Sequence, residues 1–142
     1  MPFTPKMTAD DLMGFLSEHF PQALEFPTKV TLIEEGVLEL TLTFDERTLR
    51  PGGTVSGPTL MTLADTAMYF LLLTHLGPLA LAVTTSLHID FLRRPEPRDV
   101  VARCELMKLG RSLAVGHVVM RSVGDPRPVA QASLTYSLPP RA

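Results

Sequence analysis

The chain has 142 residues, 45% of them hydrophobic, a formal net charge of −2 and one cysteine. That is long enough for a single domain, residues 1–142, with a core of its own, and the charge balance gives no general attraction to nucleic acid. Cys104 has no partner for an internal disulfide, and neither it nor the scattered His19, His75, His88 and His117 follows metal-ligand spacing, so no metal site is expected.

Thr8-Ala-Asp-Asp11 has the form of a capping box with Asp in place of Glu, and Leu12, Phe15, Leu16 and His19 follow on one face. A short amphipathic helix over about 8–20 is predicted, ending before Pro21. Its acidic start is wrong for a signal peptide, and cytoplasmic residence is the expectation. Residues 30–35 and 37–44 flank Gly36 and read as a hairpin or a bulged pair of strands.

Between Arg50 and Asp90 only Asp65 is formally charged. A segment this apolar belongs in a core or an interface, where burial stabilises it, and a lone carboxylate there must be paired, hydrogen-bonded or neutralised. Asp65 is therefore either a structural partner of an arginine or a functional group. Leu60, Leu63, Ala64, Ala67 and Leu71 form one stripe at helical spacing, with Asp65 off it and Met61, Met68 and Tyr69 around it. Pro58 suits a helix start and Gly77-Pro78 a stop, which predicts a buried helix of roughly 19 residues, ~28 Å long. The apolar run 67–83 approaches the length of a membrane span. Asp65, His75 and Gly77-Pro78 interrupt any full-length span and no basic cluster flanks it, so a core helix is expected and no membrane.

The approach to this helix reads Arg50-Pro-Gly-Gly-Thr-Val-Ser-Gly-Pro58. A glycine-rich loop at a helix N-terminus presents unpaired N–H groups and the positive end of the dipole, which suits an oxyanion. Pro58 has no N–H, leaving Gly57 and Thr59 as donors, and the Lys of a Walker-type loop is missing.

Beyond the helix, Val83, Thr85, Leu87, Ile89 and Phe91 alternate with Thr84, Ser86, His88 and Asp90, a polar row that needs a solvated face or a partner. His88 reads as a strand-surface residue. Residues 100–109 and 113–123 alternate around Gly110-Arg111-Ser112, a hairpin signal, with Cys104 as a buried structural thiol. Gly124-Asp125-Pro126 is a turn, and residues 129–138 form the last strand. Short helix, two strands, long helix and four strands pack most economically as an antiparallel sheet covering one central helix, an α+β domain.

The segment Gly52-Gly-Thr-Val-Ser-Gly-Pro-Thr-Leu-Met-Thr-Leu-Ala-Asp65-Thr-Ala, the strand ending Phe91-Leu-Arg-Arg-Pro95 and the run Leu109-Gly-Arg111-Ser-Leu-Ala-Val resemble hotdog-fold acyl-CoA thioesterases of the phenylacetic-acid-degradation (PaaI-like) type. The likeness covers residues 28–138. It implies a homodimer or homotetramer whose active sites lie between protomers, with a helix carboxylate of one facing the loop and helix N-terminus of the other. It implies Asp65 as the catalytic acid and the Gly57 N–H as oxyanion donor. Ser56-Gly57-Pro58 stands where the family usually has His-Gly-Gly. Ser56 can hold the loop by its hydroxyl but cannot carry a proton as imidazole does. Arg50 stands where an Asn or Gln is usual, and it can polarise the thioester carbonyl or pair with Asp65.

The expected reaction is acyl-CoA hydrolysis, with Asp65 either attacking the carbonyl or activating water. Coenzyme A enters as part of the substrate, and no separate cofactor is expected. Met61, Met68 and Tyr69 are either the lining of an acyl pocket or simply core. Thr84 is a further substrate-binding candidate, and Arg93, Arg94, Lys108 and Arg111 are either CoA-phosphate ligands or solvated charges. The rival reading is a hotdog protein that binds acyl-CoA or an acyl carrier without hydrolysing it. A hotdog dehydratase or hydratase is disfavoured, because the loop and the long helix around Asp65 hold no histidine except His75, nearly three turns away.

Overall fold

The structure, a computed structural model, describes residues 3–44, 49–50, 54–79 and 81–140, and of Leu49, Arg50 and Thr54 the backbone alone. Helix α1 (Ala9–His19) starts with the predicted capping box: Thr8 Oγ1 accepts from the Asp11 N–H and the Asp11 carboxylate accepts from the Thr8 N–H. Leu12 and Leu16, one turn apart, are completely buried. The segment after α1 is a 3-10 helix, Pro21–Glu25, where proline was read only as a stop. Strands β1 (Thr28–Glu34) and β2 (Val37–Leu42) form the predicted hairpin, and Gly36 turns it with φ +69°, a conformation other residues rarely adopt. A two-residue ladder, β3 (Leu49–Arg50) with β4 (Thr54–Val55), precedes helix α2 (Gly57–Leu76). Strands β5 (Val83–Phe91), β6 (Val100–Leu109), β7 (Leu113–Ser122) and β8 (Pro128–Ser137) follow.

Six strands form one antiparallel sheet in the order β1-β2-β6-β7-β8-β5. Alternation through the middle of β6, β7 and β8 turns Ala102, Cys104, Val118, Met120, Ala132 and Leu134 towards α2, and all are buried. The α2 stripe of Leu60, Leu63, Ala64, Ala67 and Leu71 is buried against them. Each such leucine contributes about 1.5–3 kcal/mol, so the sheet holds α2 as its core. By length and composition α2 could cross a membrane, but most of it is covered by this sheet. The sheet packs so closely at β7 that an added Cβ on Gly116 would overlap Met68 Sδ.

Two details bear on the site. His75, near the end of α2, has Nε2 2.9 Å from the Gly36 amide and 3.1 Å from the Glu34 carbonyl, and Nδ1 2.9 Å from the Leu71 carbonyl. The histidine expected nearest to Asp65 thus ties the helix to the β1–β2 turn. At the other edge of the sheet, β5 has one side unpaired among the described residues, with Val83 and Phe91 each more than half exposed.

Candidate active site

Asp65 sits on α2 where the helix faces the start of β5 and the end of β8. Its Oδ1 accepts two short hydrogen bonds, from Thr84 Oγ1 at 2.6 Å and from the Tyr136 hydroxyl at 2.7 Å. The Tyr136 hydroxyl also lies 3.1 Å from the Asp65 backbone carbonyl. No described residue bonds Oδ2 or pairs an arginine with this carboxylate, so the arginine-partner reading finds no support among the described residues. Burial and the neighbouring Asp65 charge push the Tyr136 phenol far above its ordinary range, with the Thr84 hydroxyl opposing, and burial raises Tyr69 as well. Both phenols stay protonated and can donate.

Thr84 reaches Asp65 because β5 is irregular. Its pairing with β8 runs Thr84↔Tyr136 and then Ser86↔Thr135, leaving Thr85 as the extra residue of a bulge. The bulge reverses the alternation, so Thr84 leaves the polar row predicted for it with His88 and Asp90 and turns to the helix side. His88 and Asp90 stay on the outer face, 3.3 Å apart and solvated.

Asp65, Thr84 and Tyr136 line a cavity of about 570 Å³. Its apolar wall is Phe20, Ala23 and Phe26 from the segment after α1, with Tyr69 and Phe70 from α2. Tyr69 stacks on Tyr136 with centroids 6.3 Å apart and meets Phe20 edge-on at 6.0 Å. Of the three residues expected around an acyl group, only Tyr69 lines this cavity. Met68 points the opposite way, fully buried against Gly116 and 3.8 Å from Cys104 Sγ, and Met61 lies on the exposed face of the helix. The wall from residues 20–26 escaped sequence reading, because nothing local ties a 3-10 turn to a helix forty residues on.

At the other end of α2, Ser56 is the N-cap: its Oγ accepts from the Thr59 N–H at 3.2 Å and lies 2.8 Å from Thr59 Oγ1. Thr59 is therefore spent as a donor, and Gly57, the first helical residue, keeps a free N–H among the described contacts. The helix thus begins one residue earlier than Pro58. An added Cβ on Gly57 would touch the Phe91 ring at 3.4 Å, so Gly57 lies beside the far end of β5. Gly57 and Asp65 are eight residues apart on one helix, about 12 Å of rise, too far to act on one carbonyl from the same chain.

The cations divide in the same way. Arg93 and Arg94 follow the Phe91 end of β5, where Arg93 Nη1 donates to the Pro128 carbonyl at 2.7 Å. Lys108 and Arg111 are exposed on the β6–β7 hairpin, whose tip lies at the Val83 end: Leu113 and Val83 both pair with Ser137. The Arg50 side chain and the Gly52-Gly53 pair lie outside the described residues. Among the described residues no group of three or more His, Cys, Asp or Glu side chains is placed to hold a metal.

Residues 52–129 match the sequence profile of the thioesterase superfamily. The chain belongs to this superfamily. Its fold superposes on a provisionally assigned thioesterase of Silicibacter sp. TM1040 with a TM-score of 0.88 and 44% identity, covering 97% of this chain and 96% of that one. A point mutant of the phenylacetic acid degradation protein PaaI from Thermus thermophilus is 28% identical with a TM-score of 0.71, over 82% of this chain and 97% of that one. A provisionally assigned esterase of Thermoplasma acidophilum is 25% identical over 100 residues, 70% of this chain and 74% of its own length. The six-stranded antiparallel sheet around one long helix is the hotdog fold of these proteins, and the PaaI-like resemblance holds.

Proposed function

We propose that this thioesterase-superfamily chain hydrolyses acyl-CoA thioesters, with Asp65 as the reacting carboxylate, acting in the cytoplasm as a homodimer or a homotetramer of such dimers. One observation carries the proposal: a carboxylate with Oδ1 bonded and, among the described residues, Oδ2 free stands at the wall of an apolar, aromatic cavity. The acyl group occupies the cavity and brings its thioester carbonyl to Asp65. Oδ2 either attacks that carbonyl, forming a mixed anhydride as CoA thiolate leaves, or takes a proton from an attacking water. Negative charge then develops on the carbonyl oxygen, and the free Gly57 N–H at the positive end of α2 is the donor suited to it.

Because ~12 Å of helix separates the two groups in one chain, the donor must come from a partner. The open edge of β5 supports how. A two-fold axis pairing β5 antiparallel with its copy lays the Phe91 end of one protomer over the Val83 end of the other, and so sets the partner's Gly57 beside Asp65. The same operation brings the partner's Arg93 and the partner's Arg94 towards Lys108 and Arg111, giving the CoA phosphates cations from both chains. Arg50, just before the glycine loop, is proposed to polarise the carbonyl from the oxyanion side.

The non-catalytic rival has one observation in its favour: the Ser56 hydroxyl is committed to the helix cap, and a hydroxyl there cannot carry a proton as an imidazole would. Thiol release from phenylacetyl-CoA, benzoyl-CoA and hexanoyl-CoA separates the two. Steady turnover of any of them supports hydrolysis, whereas saturable binding of all three without thiol release makes the protein a carrier.

A further inference from the structure

We infer that Tyr136 is a positioning residue for this reaction: its hydroxyl fixes the Asp65 carboxylate so that Oδ2 alone faces the substrate cavity. The inference rests on the proposed role of Asp65 and adds a residue from the opposite end of the chain. Three geometric facts support it. The hydroxyl lies 2.7 Å from Oδ1 and 3.1 Å from the Asp65 carbonyl, so one buried group engages both the side chain and the backbone of the same residue. Thr84 occupies a second lone-pair site of the same oxygen, and with both donors on Oδ1 the carboxylate cannot rotate without breaking two short bonds. The phenol ring, buried and stacked on Tyr69, has no freedom to follow a carboxylate that turns away.

A free aspartate on a helix samples several rotamers, and only some present an oxygen to a carbonyl in line for attack. Holding one rotamer is positional catalysis, where misplacement of about 1 Å costs about 100-fold. Tyr136 on β8 and Tyr69 on α2 itself both line the cavity beside that carboxylate. Burial keeps the two phenols protonated throughout the assay range.

The test is Tyr136→Phe, which keeps the ring and its stacking and removes the hydroxyl. Expected for phenylacetyl-CoA, benzoyl-CoA or hexanoyl-CoA, whichever is turned over, is a fall in kcat of about 10- to 100-fold with KM within about twofold. A Phe variant with wild-type kcat overturns the inference, even if its melting temperature falls. Tyr136→3-fluorotyrosine guards against a folding failure, since it keeps both ring and hydroxyl and makes the hydroxyl a stronger donor. Its kcat should stay within about twofold of the wild type, and a loss as large as that of Tyr136→Phe overturns the inference. Asp65→Asn, run in parallel, separates this failure from a larger one. If Asp65→Asn is inactive and Tyr136→Phe is normal, only the positioning role falls; if Asp65→Asn is active, the proposed mechanism falls with it.

Discussion

The shared site can be tested by mixing two inactive proteins. Asp65→Asn removes the carboxylate's chemistry from every chain, and Gly57→Pro removes the proposed oxyanion donor. Proline suits the first helical position, where an N–H has no helical partner, and Ser56, with ψ 155°, already has the extended backbone that a residue before proline prefers. Losing one oxyanion donor should cost ~10²–10³ in kcat. With Gly57 and Asp65 about 12 Å apart along α2, each site draws the two groups from different chains. A heterodimer of the two variants therefore has one doubly damaged site and one intact site. Unfolding equal amounts together and refolding them makes half of the dimers mixed, so roughly a quarter of all sites should be wild type. Thiol release should recover to that fraction of the wild-type rate, against almost none for either variant refolded alone. Native mass spectrometry of differently tagged chains confirms the mixed dimers. If mixed dimers form and activity stays at the level of the separate variants, Gly57 and Asp65 do not act across the interface.

Other predictions follow from the packing and the titrations. Gly116→Ala places a methyl group into Met68 Sδ, with Met68 Cε at 3.1 Å and the Glu105 carbonyl at 3.4 Å. Overpacking of this kind costs about 1–3 kcal/mol, read as a lower urea midpoint with an unchanged slope. Tyr136 holds its proton more tightly folded than unfolded, so its contribution to stability is full below its ordinary value of 10.0 and is lost as pH rises beyond it. The melting temperature should therefore fall steeply above about pH 10, and Tyr136→Phe should flatten that fall; an identical alkaline profile in the variant would show that the phenol is not protected.

Local patterns carried most of the fold. The capping box, the Gly36 hairpin, the α2 stripe and the four closing strands all rest on spacings of a few residues, and each stands where those spacings put it. Asp65 was visible because a single charge in an apolar helix needs an explanation from chemistry. What stayed hidden depends on pairings across the chain. Tyr136 reads as an ordinary inward-facing strand aromatic until β8 is laid beside β5, seventy-one residues from its partner Asp65. Simple alternation puts Thr84 on the outer side of its strand, and a one-residue bulge reverses that alternation without a glycine or proline to mark it. Helical angle alone places Met68 near Asp65, yet the small Gly116 on β7 opens the space that draws it into the sheet.

The most direct test of the central claim is the turnover of Asp65→Asn. The amide keeps the size of the side chain and can still accept from Thr84 and Tyr136 through its oxygen, so the fold should survive and the melting temperature should stay near that of the wild type. Without a base or nucleophile at this position, kcat for acyl-CoA hydrolysis should fall at least ~100-fold, with binding of the thioester retained. A correctly folded Asp65→Asn protein that releases CoA at close to the wild-type rate would contradict the account.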